Sequence, residues 1–156
     1  MYHNLQRLNL PPLQSPHIER GADNVTRIFD PLRNKPVALT PEEWVRQHFT
    51  SWLIHHRGYP ASLMGNEVSL TLNGMSRRCD TVLFTRQGLL PQMIIEYKAP
   101  KIEITQRVFD QIARYNMVLR APYLAVSNGL SHYCLHIDYE AGKSRFLRDF
   151  PAYDEL

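Results

Sequence analysis

The stretch that decides the fold runs from Met93 to Pro100, "MIIEYKAP". An apolar run breaks into an acid, an aromatic, a base and a proline. Side chains two apart on a strand share a face, so Ile94, Glu96 and Lys98 lie on one side and Ile95 and Tyr97 on the other. A carboxylate is thereby held beside an ammonium. As an exposed strand-end pair this would be worth little, so its meaning depends on what the rest of the chain brings to the same face.

Upstream, "NEVSLTL" alternates polar and apolar residues and "CDTVLF" is short and β-rich. The turn signals Asn73-Gly74 and Arg86-Gln87-Gly88 join these runs to "PQMIIEYK" as a three-stranded antiparallel meander. Before the meander, Thr40 is a good N-cap, Pro41 suits the first helical position, and Glu43 completes a capping box. Trp44, Val45, His48, Phe49, Trp52 and Leu53 then form an amphipathic stripe that ends near Gly58. Downstream, Val108, Ile112, Tyr115 and Leu119 predict a second helix from about 105 to 119, closed by Pro122, which opens the strand "PYLAVSN". The tail "HYCLHIDYEAGKSRFL" reads as two further strands around Ala141 and Gly142. The order is helix, three strands, helix, strand, then a small C-terminal β extension: one α/β domain over residues 27–156 with a mixed sheet flanked by helices. Residues 1–26, rich in Pro, Asn, Gln and His and with little periodicity, read as an irregular arm.

With 156 residues, 44% hydrophobic and 21% charged, the chain is large enough for a single core and too apolar for general disorder. Its two cysteines, Cys79 and Cys134, exclude a disulfide-stapled scaffold and are expected as reduced thiols. No stretch has the length of a membrane span and the N-terminus lacks a signal-peptide core, so a soluble, cytoplasmic protein without a membrane partner is expected. A formal charge of +3 and a pI near 9.0 tilt the partner toward polyanions.

Asp80 interrupts the apolar middle strand, where an unpaired carboxylate would be costly. Antiparallel pairing through the Arg86–Gly88 turn brings it across from Glu96, with Lys98 alongside. Two convergent carboxylates and a lysine suit a divalent-metal phosphodiesterase. Hard oxygen ligands hold Mg²⁺ or Mn²⁺, which polarises a phosphate and lowers the pKa of an attacking water, while the ammonium orients or neutralises charge. The same letters also fit a buried ion-pair cluster without activity.

Asp80, the "EYK" of Glu96 to Lys98, and "QIARY", carrying Gln111 and Tyr115, resemble the D…ExK…QxxxY pattern of PD-(D/E)xK nucleases. "ALTPEEWVRQHF", "IIEYKAP", "FDQIARYN" and "YLAVSNGLSHY" resemble more closely the N-terminal nuclease domain of type I restriction enzyme R subunits. The resemblance, running from about Phe29 to near the C-terminus, implies a restriction-endonuclease-like fold in αβββαβ order and a metal-dependent DNA endonuclease. It implies Asp80, Glu96 and the backbone carbonyl of Tyr97 as metal ligands and Lys98 as catalytic base or electrostatic stabiliser. Gln111 and Tyr115, one helical turn apart, would reach the metal site or the DNA backbone. Some members add a carboxylate from the first helix, for which Glu42 and Glu43 are the candidates, although the cap already gives Glu43 a structural task. Arg77, Arg78, Lys101, Arg107, Arg114 and Arg120 surround the motif and are candidates for DNA phosphates.

Two departures qualify the resemblance. Cys79 stands where the family name has Pro. Gly142, Lys143 and Ser144 lack the earlier glycine of a phosphate-binding loop, whose place is taken by Ile137, so a cut would occur either without a motor or with one supplied by another chain, with motor or specificity subunits as candidate partners. A cut through both strands needs two active sites, hence a homodimer or repeated nicking. Alternative readings are a catalytically inactive nucleic-acid-binding or assembly module, and a zinc-dependent regulator built on His132, Cys134 and His136, which alternate onto one strand face.

Overall fold

The computed structural model describes residues 5–156; the first four residues of the expected arm lie outside them. Thr40 is extended and its hydroxyl accepts the Glu43 N–H at 3.0 Å, which with Pro41 starts helix α1, Pro41–His56. Arg57 caps the other end through its N–H to the Leu53 carbonyl, and Gly58 takes the left-handed conformation, φ +74°, that turns the chain away. The expected capping box is half formed. Thr40 N–H bonds to Ala38 instead, because the Glu43 carboxylate is drawn to Arg33, Arg46 and Gln47, which offer charged or side-chain donors.

The meander is β4 (Met64–Leu72), β5 (Met75–Phe84) and β6 (Pro91–Tyr97). Strands β1 (Ile18–Arg20), β2 (Thr26–Asp30) and β3 (Lys35–Ala38) precede it in the chain. Asn73 and Gly74, both at positive φ, make the two-residue turn that sets Leu72 opposite Met75. Helix α2 covers Gln106–Asn116, shorter than its apolar spacing predicts, with Thr105 as N-cap. It carries the chain over one sheet face so that β7 (Tyr123–Ser127) lies parallel to β6. Strands β8 (His132–Asp138) and β9 (Lys143–Phe146) continue the same sheet antiparallel, giving the order β4-β5-β6-β7-β8-β9. The result is a mixed α/β fold, a central mixed sheet with a helix on each face.

Each face has its own core. Val45, Phe49 and Leu53 of α1 pack on Leu83, Met93, Ile95 and Tyr97; Phe109 and Ile112 of α2 pack on Cys79, Val82, Ile94, Leu124 and Val126. Ile94 and Ile95 therefore separate as strand alternation requires, and Glu96 follows Ile94 to the α2 side. Burying a side chain such as Phe49 completely contributes about 2–3 kcal/mol.

The stretch before α1 departs from expectation. Strands β1, β2 and β3 form a separate antiparallel sheet, so the segment read as irregular over 1–26 contains a strand and the start of a second. These strands are three to five residues long, too short for alternation to register against their turn residues. The small sheet is tied down by charge. Asp30, 1% exposed, accepts from Arg33 and from Asn66 of β4, while Arg33 Nη2 reaches Glu43 of α1 at 2.5 Å.

Candidate functional site

The β5–β6 ladder pairs Leu83 with Met93, Val82 with Ile94 and Thr81 with Ile95. One further step along this register faces Asp80 with Glu96, and there backbone pairing ends. The Asp80 carboxylate takes over, its Oδ2 accepting the Tyr97 N–H at 2.9 Å. On the other side of β5, Glu67 adopts φ +55° between the pairs Asn66–Thr81 and Val68–Cys79. The alternation of β5 breaks at this point: Cys79 and Val82 both belong to the α2-side core, while Thr81 and Leu83 face α1. Arg77, three residues from Asp80 and hence on the opposite face of a regular strand, consequently reaches the same side as Asp80.

Asp80, Glu96, Tyr97, Lys98, Gln111 and Tyr115 line one cleft of about 310 Å³, together with Glu42, Arg77, Val108 and Ile112. The middle of β5 supplies Asp80, the end of β6 supplies Glu96 with Lys98 just beyond it, and α2 supplies the opposite wall. The structure thus brings together the residues expected from β5, β6 and α2. Of the two α1 candidates it places Glu42 at the cleft. Glu43 is buried behind it in the network with Arg33, Arg46 and Gln47. Consecutive helical residues are about 100° apart, and sequence alone does not say which of two glutamates the docked helix turns toward the sheet.

Glu96 is 8% exposed, and burial first, then the Asp80 charge, push its carboxyl up to about 8 in spite of Arg77 Nη2 at 3.1 Å. Glu42 is raised for the same two reasons. Both acids therefore hold their protons more tightly than free carboxyls do. Arg46, absent from the sequence reading, supports it from behind. Its guanidinium donates to the Asp80 carbonyl at 3.3 Å, reaches Glu67 at 2.6 Å and Glu43 at 3.3 Å, and lies 5.8 Å from the Tyr97 ring centroid. An i, i+3 Glu-x-x-Arg pair on α1 was the available signal.

The basic residues divide. Arg77 is inside the cleft. Arg107 and Arg114 line an adjoining hollow of about 510 Å³ with Asp110, and Gln111 and Tyr115 form the wall common to both. Arg78 turns to Glu67 at 2.5 Å, Arg120 stacks on Tyr139, and Lys101 is exposed in the turn before α2.

Among the described residues, no three His, Cys, Asp or Glu side chains are grouped to hold a metal ion. For His132, Cys134 and His136 the partners explain why. His132 Nδ1 meets Ser127 Oγ at 2.7 Å and its Nε2 meets the Asn9 carbonyl at 3.0 Å, Cys134 is in the core, and His136 packs on Tyr123. Asp80 and Glu96 are a two-carboxylate set. That number suits Mg²⁺, which keeps several waters and takes one or two carboxylates plus substrate phosphates, and two carboxylates facing one cleft are hard oxygen donors of the kind it takes.

The family model for the Type I restriction enzyme R protein N terminus (HSDR_N) matches residues 41–151, from the first turn of α1 past β9. The chain belongs to this family. The match includes both helices, the six-stranded sheet and the cleft, and leaves β1 to β3 outside. An octanoyltransferase from Cupriavidus pinatubonensis is 26% identical over 137 residues, with 78% of this chain and 53% of that protein covered. The chain thus spans about half the length of the curated relative it matches. Among the described residues no helix is long and apolar enough to cross a membrane.

Proposed function

We propose that this member of the R-subunit N-terminal family is a divalent-metal-dependent endonuclease domain that hydrolyses DNA phosphodiesters in the cleft between β5, β6 and α2. The observation that carries the reading is the convergence of Asp80, Glu96 and Lys98 with Gln111 and Tyr115 in one cleft. Asp80 and Glu96 would hold Mg²⁺ or Mn²⁺, with the Tyr97 peptide beside them. When bound, such an ion polarises a phosphate and lowers the pKa of an attacking water. Lys98 places its ammonium on the same face, where it orients the water or stabilises charge developing on the phosphate. Gln111 and Tyr115 position the strand, and Arg107 and Arg114 attract its neighbouring phosphates. Glu42 adds a carboxylate at the rim. DNA is the partner on this reading, and a homodimer, a motor chain or specificity subunits would complete a double-strand cut.

A second reading, a binding or assembly module without activity, is favoured by one observation: Glu96 already has a cation, Arg77. Acyl transfer, which the name of the curated relative describes, lacks support here. Both thiols are buried and pushed up to about 12, and the Ser127 that bonds His132 has no exposure.

Supercoiled, linear and single-stranded DNA should be incubated with the protein and Mg²⁺ or Mn²⁺. Cleavage that disappears in Asp80→Asn and Lys98→Met supports the nuclease reading. Cleavage that survives both substitutions sinks the site, and DNA binding without cleavage by the wild type supports the module.

A further inference from the structure

Arg77 is the one ion-pair partner of Glu96 among the described residues, and the way it is held is loose. A guanidinium offers five donors in a fork that matches a carboxylate two bonds at a time. Arg77 uses a single Nη2 contact to Glu96 Oε1 at 3.1 Å, lies over the Tyr115 ring 4.8 Å from its centroid, and leaves its buried Nε without a hydrogen-bond partner. Arg46 also leaves its Nε without a hydrogen bond, but it is held by two carboxylates and a carbonyl and is 5% exposed, against 26% for the Arg77 side chain. Tyr115 is itself half exposed on the cleft wall, so the ring face offers the guanidinium a track toward the opening.

We propose that Arg77 is a built-in counter-cation of the metal site, occupying Glu96 in the metal-free protein and displaced along Tyr115 when a divalent ion binds. This rests on the assignment of Asp80 and Glu96 as the metal-holding pair. Two cations competing for one carboxylate weaken each other's binding, and that competition sets the metal affinity. The displaced guanidinium remains in the cleft, where it meets a substrate phosphate. Arg77 thus lowers metal affinity in the free protein and raises turnover once DNA is bound. A residue that merely oriented Glu96 would support both.

The test is Mn²⁺ titration by calorimetry without DNA, on wild type, Arg77→Gln and Arg77→Lys, with circular dichroism to establish folding. Arg77→Gln should bind Mn²⁺ about fivefold more tightly, Arg77→Lys close to wild type, and Arg77→Gln should cleave DNA more slowly at saturating Mn²⁺. Equal or weaker binding by a folded Arg77→Gln overturns the proposal while leaving the metal site standing. No Mn²⁺ binding by wild type or variant overturns the metal site and the proposal with it. Should Arg77→Gln not fold, the wild type decides through the Arg77 side-chain NMR signal, assigned by its loss in Arg77→Lys. A shift on adding Mg²⁺ supports displacement and an unmoved signal overturns it.

Discussion

The carboxylate of Asp80 accepts the backbone N–H of Tyr97 at 2.9 Å, closing the β5–β6 ladder with a side chain where backbone pairing stops. One acid is thereby fixed beside Glu96, and the cleft has a rigid floor at the point where two strands part. The substitution that tests this is Asp80→Asn, which keeps the shape and one acceptor oxygen. DNA cleavage should fall roughly 100-fold or more, with stability changed by no more than about 1 kcal/mol. The Glu96 carboxyl should titrate lower in the variant, because the Asp80 charge is the second cause of its elevation. Carboxyl NMR in metal-free buffer reads that shift, and an unmoved Glu96 would contradict the coupling.

Glu96 also predicts how the metal-free protein responds to pH. Its folded-state value, about 8, lies above the ordinary 4.5. Between those values the folded protein holds a proton that the unfolded chain has released. This contribution to stability is complete below about pH 4.5 and is lost as pH rises through 8. Urea denaturation in EDTA should show the decline, and Glu96→Gln should flatten it over the same window.

Buried histidines act in the opposite direction. Burial lowers both His48 and His132 from the ordinary 6.5. Each therefore contributes stability that is present at neutral pH and is lost as pH falls below about 6.5, where the unfolded chain takes up the proton first. His132 bridges Ser127 and the Asn9 carbonyl, so the N-terminal segment should loosen in acid before the sheet does. Amide exchange at Asn9 measured at pH 5 and pH 7 checks the order.

That same segment is held at Gly129. Its φ is +83°, and an added Cβ would stand 2.7 Å from Leu8 Cδ2 and 3.2 Å from Val45 Cγ2. Its carbonyl also accepts the Asn9 N–H at 2.8 Å. Gly129→Ala should destabilise the protein by about 1–3 kcal/mol, seen as a lower denaturation midpoint together with faster exchange at Asn9.

Arg33 joins the small sheet to α1 through Asp30 and Glu43, both almost wholly buried. Removing it strands part of the charge of two buried acids. Arg33→Ala should therefore cost about 3 kcal/mol. Since the network lies behind the cleft, Mn²⁺ affinity of the folded fraction should be unchanged, which calorimetry below the unfolding midpoint can measure.

Local order was legible because it depends on short spacings. Thr40 and Thr105 cap the two helices, Asn73-Gly74 makes the tight turn, and Ile94 and Glu96 share a face, as periods of 3.6 and 2 dictate. That Asp80 and Glu96 lie near each other was also available, since one turn joins their strands, but their exact register was not, because the pairing shifts by one residue between Leu83 and Phe84. The short strands β1 to β3 were not, because three to five residues between turns carry too little pattern to separate strand from coil.

By itself, then, the sequence determined the two helices, the meander and the order of the chemical groups along it, all of which follow from steric and hydrophobic periodicity within a few residues. Only the tertiary structure decided which groups share the cleft. It turned Glu42 toward the cleft and Glu43 into the network, and it brought Arg77 to Glu96 across the break in alternation at Asp80. Those outcomes depend on how α1 docks and on a left-handed Glu67 one strand away, and no spacing within β5 or α1 encodes either. The "EYK" of β6 thus carries its acid and its base from local geometry, and receives its counter-cation from the fold.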